Sequence, residues 1–177
     1  MKPIVLFLTF NKDAQEAVNV YVSLFSTVFG TAKGESKIVK TTRYGEQELN
    51  ALTQLPEVDK DIMPGPAGSV KHIRFLLNGQ EFVALNGGGY FGKFHESMSL
   101  YVTCDTQQQI DRLWQTLSQG GEEQPCGWVK DKYGISWQIV PGIVMDIEEG
   151  DDHQKSQRAN KALYGMKRID IEKIRQA

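Results

Sequence analysis

The chain has 177 residues, 40% of them hydrophobic and 24% charged, with a formal net charge of −2. That length and balance give enough apolar surface for an ordinary folded core and exclude a disordered chain. Near-neutral charge gives no footprint for nucleic acid or for an anionic membrane, and no apolar run approaches a membrane span of about 20 residues. The opening apolar run Ile4–Phe10 follows a lysine as a signal peptide would, but it contains Thr9 and lacks a small-residue cleavage site, so it reads as a first strand. The two cysteines, Cys104 and Cys126, form no CxxC pair and no disulfide framework, and the cytoplasm is the default compartment.

After this strand, Asn11 or Asp13 is placed to cap a helix running to about Phe29. Val18, Tyr21, Val22, Phe25 and Phe29 give it one apolar face, and Gly30 stops it. A strand follows over 36–44. Residues 45–68, broken by Pro56, Pro64 and Pro66, read as a long loop with at most a short turn of helix. Strands are predicted over 69–77 and 81–86 around Asn78-Gly79, a strong hairpin signal.

The second half repeats the order. A strand over 98–104 leads to a helix capped by Asp105 or Thr106, with Ile110, Leu113, Trp114 and Leu117 as its buried face. Gly120-Gly121 end it, and short strands follow over 123–126, 128–131 and 135–140. Aligning Tyr21 with Trp114 and Leu24 with Leu117 sets an offset of 93 residues, so the chain reads as two βαβββ modules, an α+β fold. Paired modules of this kind close into a half-barrel with a cavity on its concave face. Beyond residue 141 a helical tail is expected, from about His153 to Met166 and again over Ile169–Ile174. Its sparse apolar face runs through Ala159, Leu163, Met166, Ile169 and Ile174. Such a tail packs on its own domain or on a sister subunit.

Several stretches carry a family resemblance. They include Phe7-Leu8-Thr9-Phe10, Ala84-Leu85-Asn86-Gly87-Gly88, Gly120-Gly121-Glu122, Cys126-Gly127-Trp128 and Ser136-Trp137-Gln138-Ile139-Val140-Pro141. Through these the chain resembles PhnB-like proteins of the vicinal-oxygen-chelate (glyoxalase/bleomycin-resistance) superfamily, a subgroup often named "3-demethylubiquinone-9 3-methyltransferase". The resemblance implies one glyoxalase-like domain over 1–141, with modules of about 1–92 and 93–141, and a helical extension over 142–177.

Methyl transfer finds no support in the residues. A conventional methyltransferase uses a Gly-rich strand-to-helix turn in a parallel sheet. Here the run Gly87-Gly88-Gly89 precedes aromatics and no helix. Metal-dependent superfamily members carry ligands at four strand positions, which by register look like Leu6, Val83, Ser99 (or Met98) and Gln138. None of these suits a divalent ion, so no metal and no cofactor are expected.

The implied function is a metal-free small-molecule-binding protein. The alternatives are an enzyme of the same superfamily (lyase, dioxygenase or the family-named methyltransferase) and a dimeric interaction protein without a ligand. Ligand contacts are expected from Gln138, Ser136, Ser99, Tyr101, Trp128 and Phe94. Cys126, with Lys130 or Lys132 as a cationic neighbour, and His95 are the catalytic candidates, against an inert packed thiol and a loop histidine. His72 alternates with Arg74 on its strand and faces either solvent or cavity. Tyr90, Phe91 and Phe94 read as a loop that plugs the barrel edge or contacts a second subunit or, alternatively, as an aromatic lid over a ligand. The expected partners are an unknown small molecule and a second copy in a homodimer, with no nucleic acid and no membrane.

Overall fold

The computed structural model describes residues 4–55 and 62–177. The chain divides into two compact units with the boundary between Lys93 and Phe94. Each holds a four-stranded mixed sheet, ordered β1-β4-β3-β2 in the first and β5-β8-β7-β6 in the second.

In the first unit, β1 (Leu6–Phe10) pairs in parallel with β4 (Gln80–Asn86), while β3 (Val70–Leu77) runs antiparallel to β4 and to β2 (Lys37–Arg43). Asn78 (φ 48°) and Gly79 (φ 79°) make the left-handed hairpin turn that an Asn-Gly pair favours. Helix α1 (Ala14–Phe29) buries Ala17, Val18, Tyr21, Leu24 and Phe25, a spacing of three and four residues that makes one face. The core residues Ile73, Phe75, Phe82 and Ala84 of β3 and β4 are all nearly inaccessible. Asp13 stands at the helix start but makes no side-chain cap. The cap comes from far along the chain instead: the Ala14 N–H donates to Asn86 Oδ1 at 2.9 Å.

Residues 45–68 were expected to be mainly loop, but Glu46–Leu52 form a helix, α2, with Leu49 buried. Acidic Glu46 and Glu48 occupy its first turn, where they complement the helix dipole. The loop reading of 56–61 lies outside the described residues. The glycine run also differs from expectation, because Gly88–Phe91 form a short 3₁₀ turn.

In the second unit, β5 (Leu100–Cys104) and β8 (Ser136–Pro141) pair in parallel, and β7 (Trp128–Lys130) is antiparallel to β8. The strand expected over 123–126 shrinks to β6, Glu122–Glu123. It cannot extend because Cys126 adopts φ 61°, a left-handed conformation that breaks pleated pairing. Helix α3 (Gln107–Leu117) opens with a reciprocal cap between Thr106 and Gln109 and buries Ile110, Leu113, Trp114 and Leu117.

The tail holds three helices: α4 (Gly142–Glu148), α5 (His153–Tyr164) and α6 (Ile171–Arg175). Asp152 and Asp170 cap the latter two through backbone N–H groups. The tail packs on its own chain. Val140, Val144, Ile147, Ala159, Leu163, Ile169 and Ile174 form one buried cluster, with Cys126 and Met166 at its margin. Polar bonds fix the register: Cys126 N–H to the Met166 carbonyl and Gly127 N–H to the Lys167 carbonyl, both 2.8 Å, and Arg168 Nη1 to Asp111 Oδ1, 2.7 Å. No helix among the described residues is long and apolar enough to cross a membrane.

Candidate functional site

On the second sheet, the side chains of β5 alternate. Val102 and Cys104 are buried, while Tyr101 is 44% exposed on the other face. Tyr101 pairs with Gln138, and Trp128 pairs with Gln138 from the other side, so these three residues make one row across β5, β8 and β7. Gln138 Nε2 donates to Ser99 Oγ at 2.7 Å, so four of the six expected ligand contacts are neighbours. Burial first, and then the Glu148 carboxylate, push the Tyr101 phenol above its usual range, which keeps it a neutral O–H.

Ser136 lies two residues before Gln138 and therefore on the same face, but it is 2% exposed and its Oγ has no hydrogen-bond partner among the described residues. The Phe94 ring lies beside Gly134.

The two catalytic candidates have unrelated surroundings. His95 Nδ1 accepts from the Ser97 N–H at 3.1 Å in an exposed turn. Cys126 lies against the tail cluster, and burial pushes its thiol up, away from the reactive thiolate. Lys130, offered as its cationic neighbour, is instead bonded to Glu96 at 2.7 Å. Each member of that pair stabilises the other's charge, so the lysine is held up and the carboxyl down.

The four metal-ligand positions need one correction. Phe7, not Leu6, stands beside Val83; Leu6 pairs with Phe82 and shares the side of Leu8 and Phe10. Phe7 and Val83 offer no donor atom, Tyr101 and Ser99 are neutral hydroxyls, and Gln138, whose nitrogen donates to Ser99, offers only a neutral amide oxygen. In neither unit do these residues fit a divalent ion. Among the described residues no three His, Cys, Asp or Glu side chains come close enough to hold one elsewhere.

A cavity within the first unit was missed in the sequence. A cavity of about 430 Å³ is bounded by α2, residues 62–64, the inner ends of β3 and β4, and the 3₁₀ turn. Its walls include Tyr44, Leu52, Ile62, Leu85, Tyr90 and Phe91, with Glu48, Lys71 and His72 as polar members. The volume falls in the usual range of small-molecule pockets, about 300–1,000 Å³.

Gly88 makes this cavity possible. It has φ 71°, and a Cβ there would meet the Ile62 carbonyl oxygen at 1.8 Å, so only glycine lets the turn approach residues 62–63. Asn86 anchors the same corner. Its Nδ2 donates to the Val70 carbonyl at 3.0 Å, and its own carbonyl accepts the Tyr44 hydroxyl at 2.6 Å.

The cavity's charges are internally matched. Lys71 Nζ pairs with Glu48 Oε1 and lies 5.6 Å from the centre of the Tyr44 ring. The hydrogen bond from Lys71 holds the Glu48 carboxyl below its usual range. Burial, helped by the Lys71 charge, lowers the His72 pKa and keeps the ring neutral. That ring meets Phe7 edge-on, with centroids 5.9 Å apart.

Residues 2–140 match the family model described as 3-demethylubiquinone-9 3-methyltransferase. The structure is similar to that of the PhnB protein from Bacillus cereus, which carries the same family description. Sequence identity is 35%, 80% of this chain and 100% of that chain are covered, and the TM-score is 0.58. A protein from Pseudomonas aeruginosa shares the fold at 17% identity, covering 80% of this chain and 98% of its own, with a TM-score of 0.54. A glyoxalase/bleomycin resistance protein from Albidiferax ferrireducens matches over 78% of this chain and 98% of its own at 11% identity, with a TM-score of 0.37. No curated protein matches the sequence. With its α+β fold of two mixed four-stranded sheets, the chain belongs to the 3-demethylubiquinone-9 3-methyltransferase (PhnB-like) family.

Proposed function

We propose that this protein binds a small molecule without a metal ion, and that the cavity of the first unit is the ligand seat. The observation that carries the reading is the cavity itself: about 430 Å³, walled mainly by aliphatic and aromatic side chains, with three polar groups placed at it. Ligand pockets have that make-up, apolar for affinity and sparsely polar for orientation. The row Tyr101, Gln138, Trp128 with Ser99 is proposed as a second, polar contact surface, to which Ser136 and Phe94 contribute from its margins. The two mixed sheets give no support to a methyl-transfer reading, since each has a single parallel pair rather than a parallel nucleotide-binding sheet.

The cytoplasm remains the proposed compartment, in keeping with a sequence whose two cysteines form no CxxC pair and no disulfide framework. A homodimer is proposed on the strength of β2. All seven of its residues are exposed at a sheet edge, with Ile38 at 40% and Val39 at 42%. The tail no longer argues for it, since its apolar face is covered in cis. The single domain over 1–141, with 142–177 as its extension, is likewise proposed.

The test of the ligand seat is titration with a neutral naphthylamine dye that brightens in apolar surroundings. One saturable site is expected, lost in Leu85→Trp, which fills the cavity, in a variant whose circular dichroism is unchanged. Equal binding by Leu85→Trp would place the ligand elsewhere. Elemental analysis of protein purified without chelator should find far less than one equivalent of transition metal, and light scattering should give about twice 19.9 kDa.

A further inference from the structure

The polar groups around the cavity differ in whether they have anything left to offer a ligand. Lys71 and Glu48 are paired with each other, so neither sign of charge is open to an ionic guest. An incoming carboxylate or ammonium would have to break that pair and leave the displaced partner uncompensated. The Tyr44 hydroxyl gives its proton to the Asn86 carbonyl and has no donor left for a guest. His72 is different. Its ring lines the cavity, and among the described residues it makes an edge contact with Phe7 but no side-chain hydrogen bond.

A neutral imidazole presents one N–H donor and one bare nitrogen acceptor. A hydroxyl group both donates and accepts, so it satisfies whichever ring nitrogen faces it, whereas a carbonyl serves only one tautomer. The rest of the wall selects for shape. Tyr44, Tyr90 and Phe91 line one cavity with Leu52, Ile62 and Leu85, and Tyr90 and Phe91 already meet at 5.2 Å in an edge-to-face arrangement. Aromatic walls of this kind offer a flat ring stacked and edge-to-face contacts.

We propose that the cavity of the first unit takes an uncharged planar aromatic molecule bearing a hydroxyl group, and that His72 is the specificity-determining residue that receives the hydroxyl. The inference rests on the reading of this cavity as the ligand seat. It assigns a chemical class and a residue to that seat.

The probes are naphthalene, naphthol, naphthoate and naphthylmethylammonium, compared by equilibrium dialysis on the full chain at neutral pH. Naphthol is expected to bind about tenfold more tightly than naphthalene, the worth of one net hydrogen bond. The two ions are expected to bind at least as weakly as naphthalene. His72→Phe should abolish the preference, so that naphthol and naphthalene bind that variant equally. His72→Gln, which keeps hydrogen-bonding groups, should retain most of the preference and guards against a folding defect in the phenylalanine variant.

Equal binding of naphthol and naphthalene by the native protein overturns the proposal, as does naphthoate binding tightest or a preference that survives His72→Phe. In each of those cases, binding that is still lost in Leu85→Trp keeps the seat and removes only the assigned class. If no probe binds, or Leu85→Trp binds them all as the native protein does, the seat falls and the assignment falls with it.

Discussion

Replacing Asn86 with alanine is the sharpest available perturbation of the first unit. The side chain is 4% exposed and makes two bonds to backbone groups distant in sequence, accepting from the Ala14 N–H and donating to the Val70 carbonyl. Alanine removes both partners and leaves a helix-terminal N–H and a strand-end carbonyl unpaired. Each orphaned buried group costs about 1–3 kcal/mol, so the variant should lose about 2–6 kcal/mol. That is a large share of a domain's total stability of about 5–15 kcal/mol. The Tyr44 bond goes to the Asn86 main-chain carbonyl and survives the substitution. Asn86→Asp should be intermediate, because it keeps the acceptor for Ala14 but turns an oxygen towards the Val70 carbonyl.

The assay needs two probes. All three tryptophans, Trp114, Trp128 and Trp137, belong to the second unit, so their fluorescence reports that unit, while far-ultraviolet circular dichroism reports both. Urea titration should show the circular-dichroism transition moving to lower denaturant in Asn86→Ala by more than the fluorescence transition does. A loss below about 1 kcal/mol would mean that the helix start and the strand end are held by something other than this amide.

Four further outcomes follow from the same physical reasoning. Asp131→Ala should destabilise the second unit by about 2–4 kcal/mol, because its buried carboxylate accepts from the Tyr133 and Ile135 N–H groups and from Trp137 Nε1, and the tryptophan emission should shift. A chain ending at Pro141 should aggregate or unfold early, since it uncovers Val140 and strips the Cys126 and Gly127 N–H groups of their acceptors; a soluble product with native fluorescence would contradict this. Cys126 should react with a disulfide reagent more slowly than a free thiol at neutral pH, because burial favours its protonated form. Acid should weaken the first unit: with the His72 pKa lowered by burial, the unfolded chain takes up that proton first. The contribution is then full above about pH 6.5 and is lost as pH falls through the lowered value, and His72→Phe should remove this part of the acid sensitivity.

Much of the fold was legible because short-range signals agreed with the tertiary result. The three- and four-residue spacing in α1, the Asn78-Gly79 turn and the Thr106 cap each carry their own geometry. Helix α2 was hidden because its seven residues are few and polar, with Leu49 the buried one. The shortened β6 was hidden because nothing local announces that Cys126 takes a left-handed conformation; its N–H and that of Gly127 pair with residues 166–167, some forty positions on.

The candidate site divides in the same way. Alternation placed Ser99, Tyr101 and Gln138 on one face, and the row is there. The cavity depends instead on residues 62–64 lying against Gly88, a long-range approach with no periodicity to read. The usable clue was the glycine run itself, where a bulkier residue would collide with the Ile62 carbonyl. His72 gave only its alternation with Arg74, which left two faces open until β4 was paired beside it.

The parallel pairing that closes each sheet bears on how the chain reaches its fold. Joining Leu6 to Phe82 encloses about twice as much chain as joining Leu100 to Trp137. A doubling of loop length costs about 0.6 kcal/mol of closure entropy, a penalty met before the enclosed contacts can repay it. The second unit should therefore assemble first when the whole chain is diluted out of denaturant. On a ribosome the order of emergence runs the other way, so the slower-closing unit is the one that waits longest with its apolar strands uncovered.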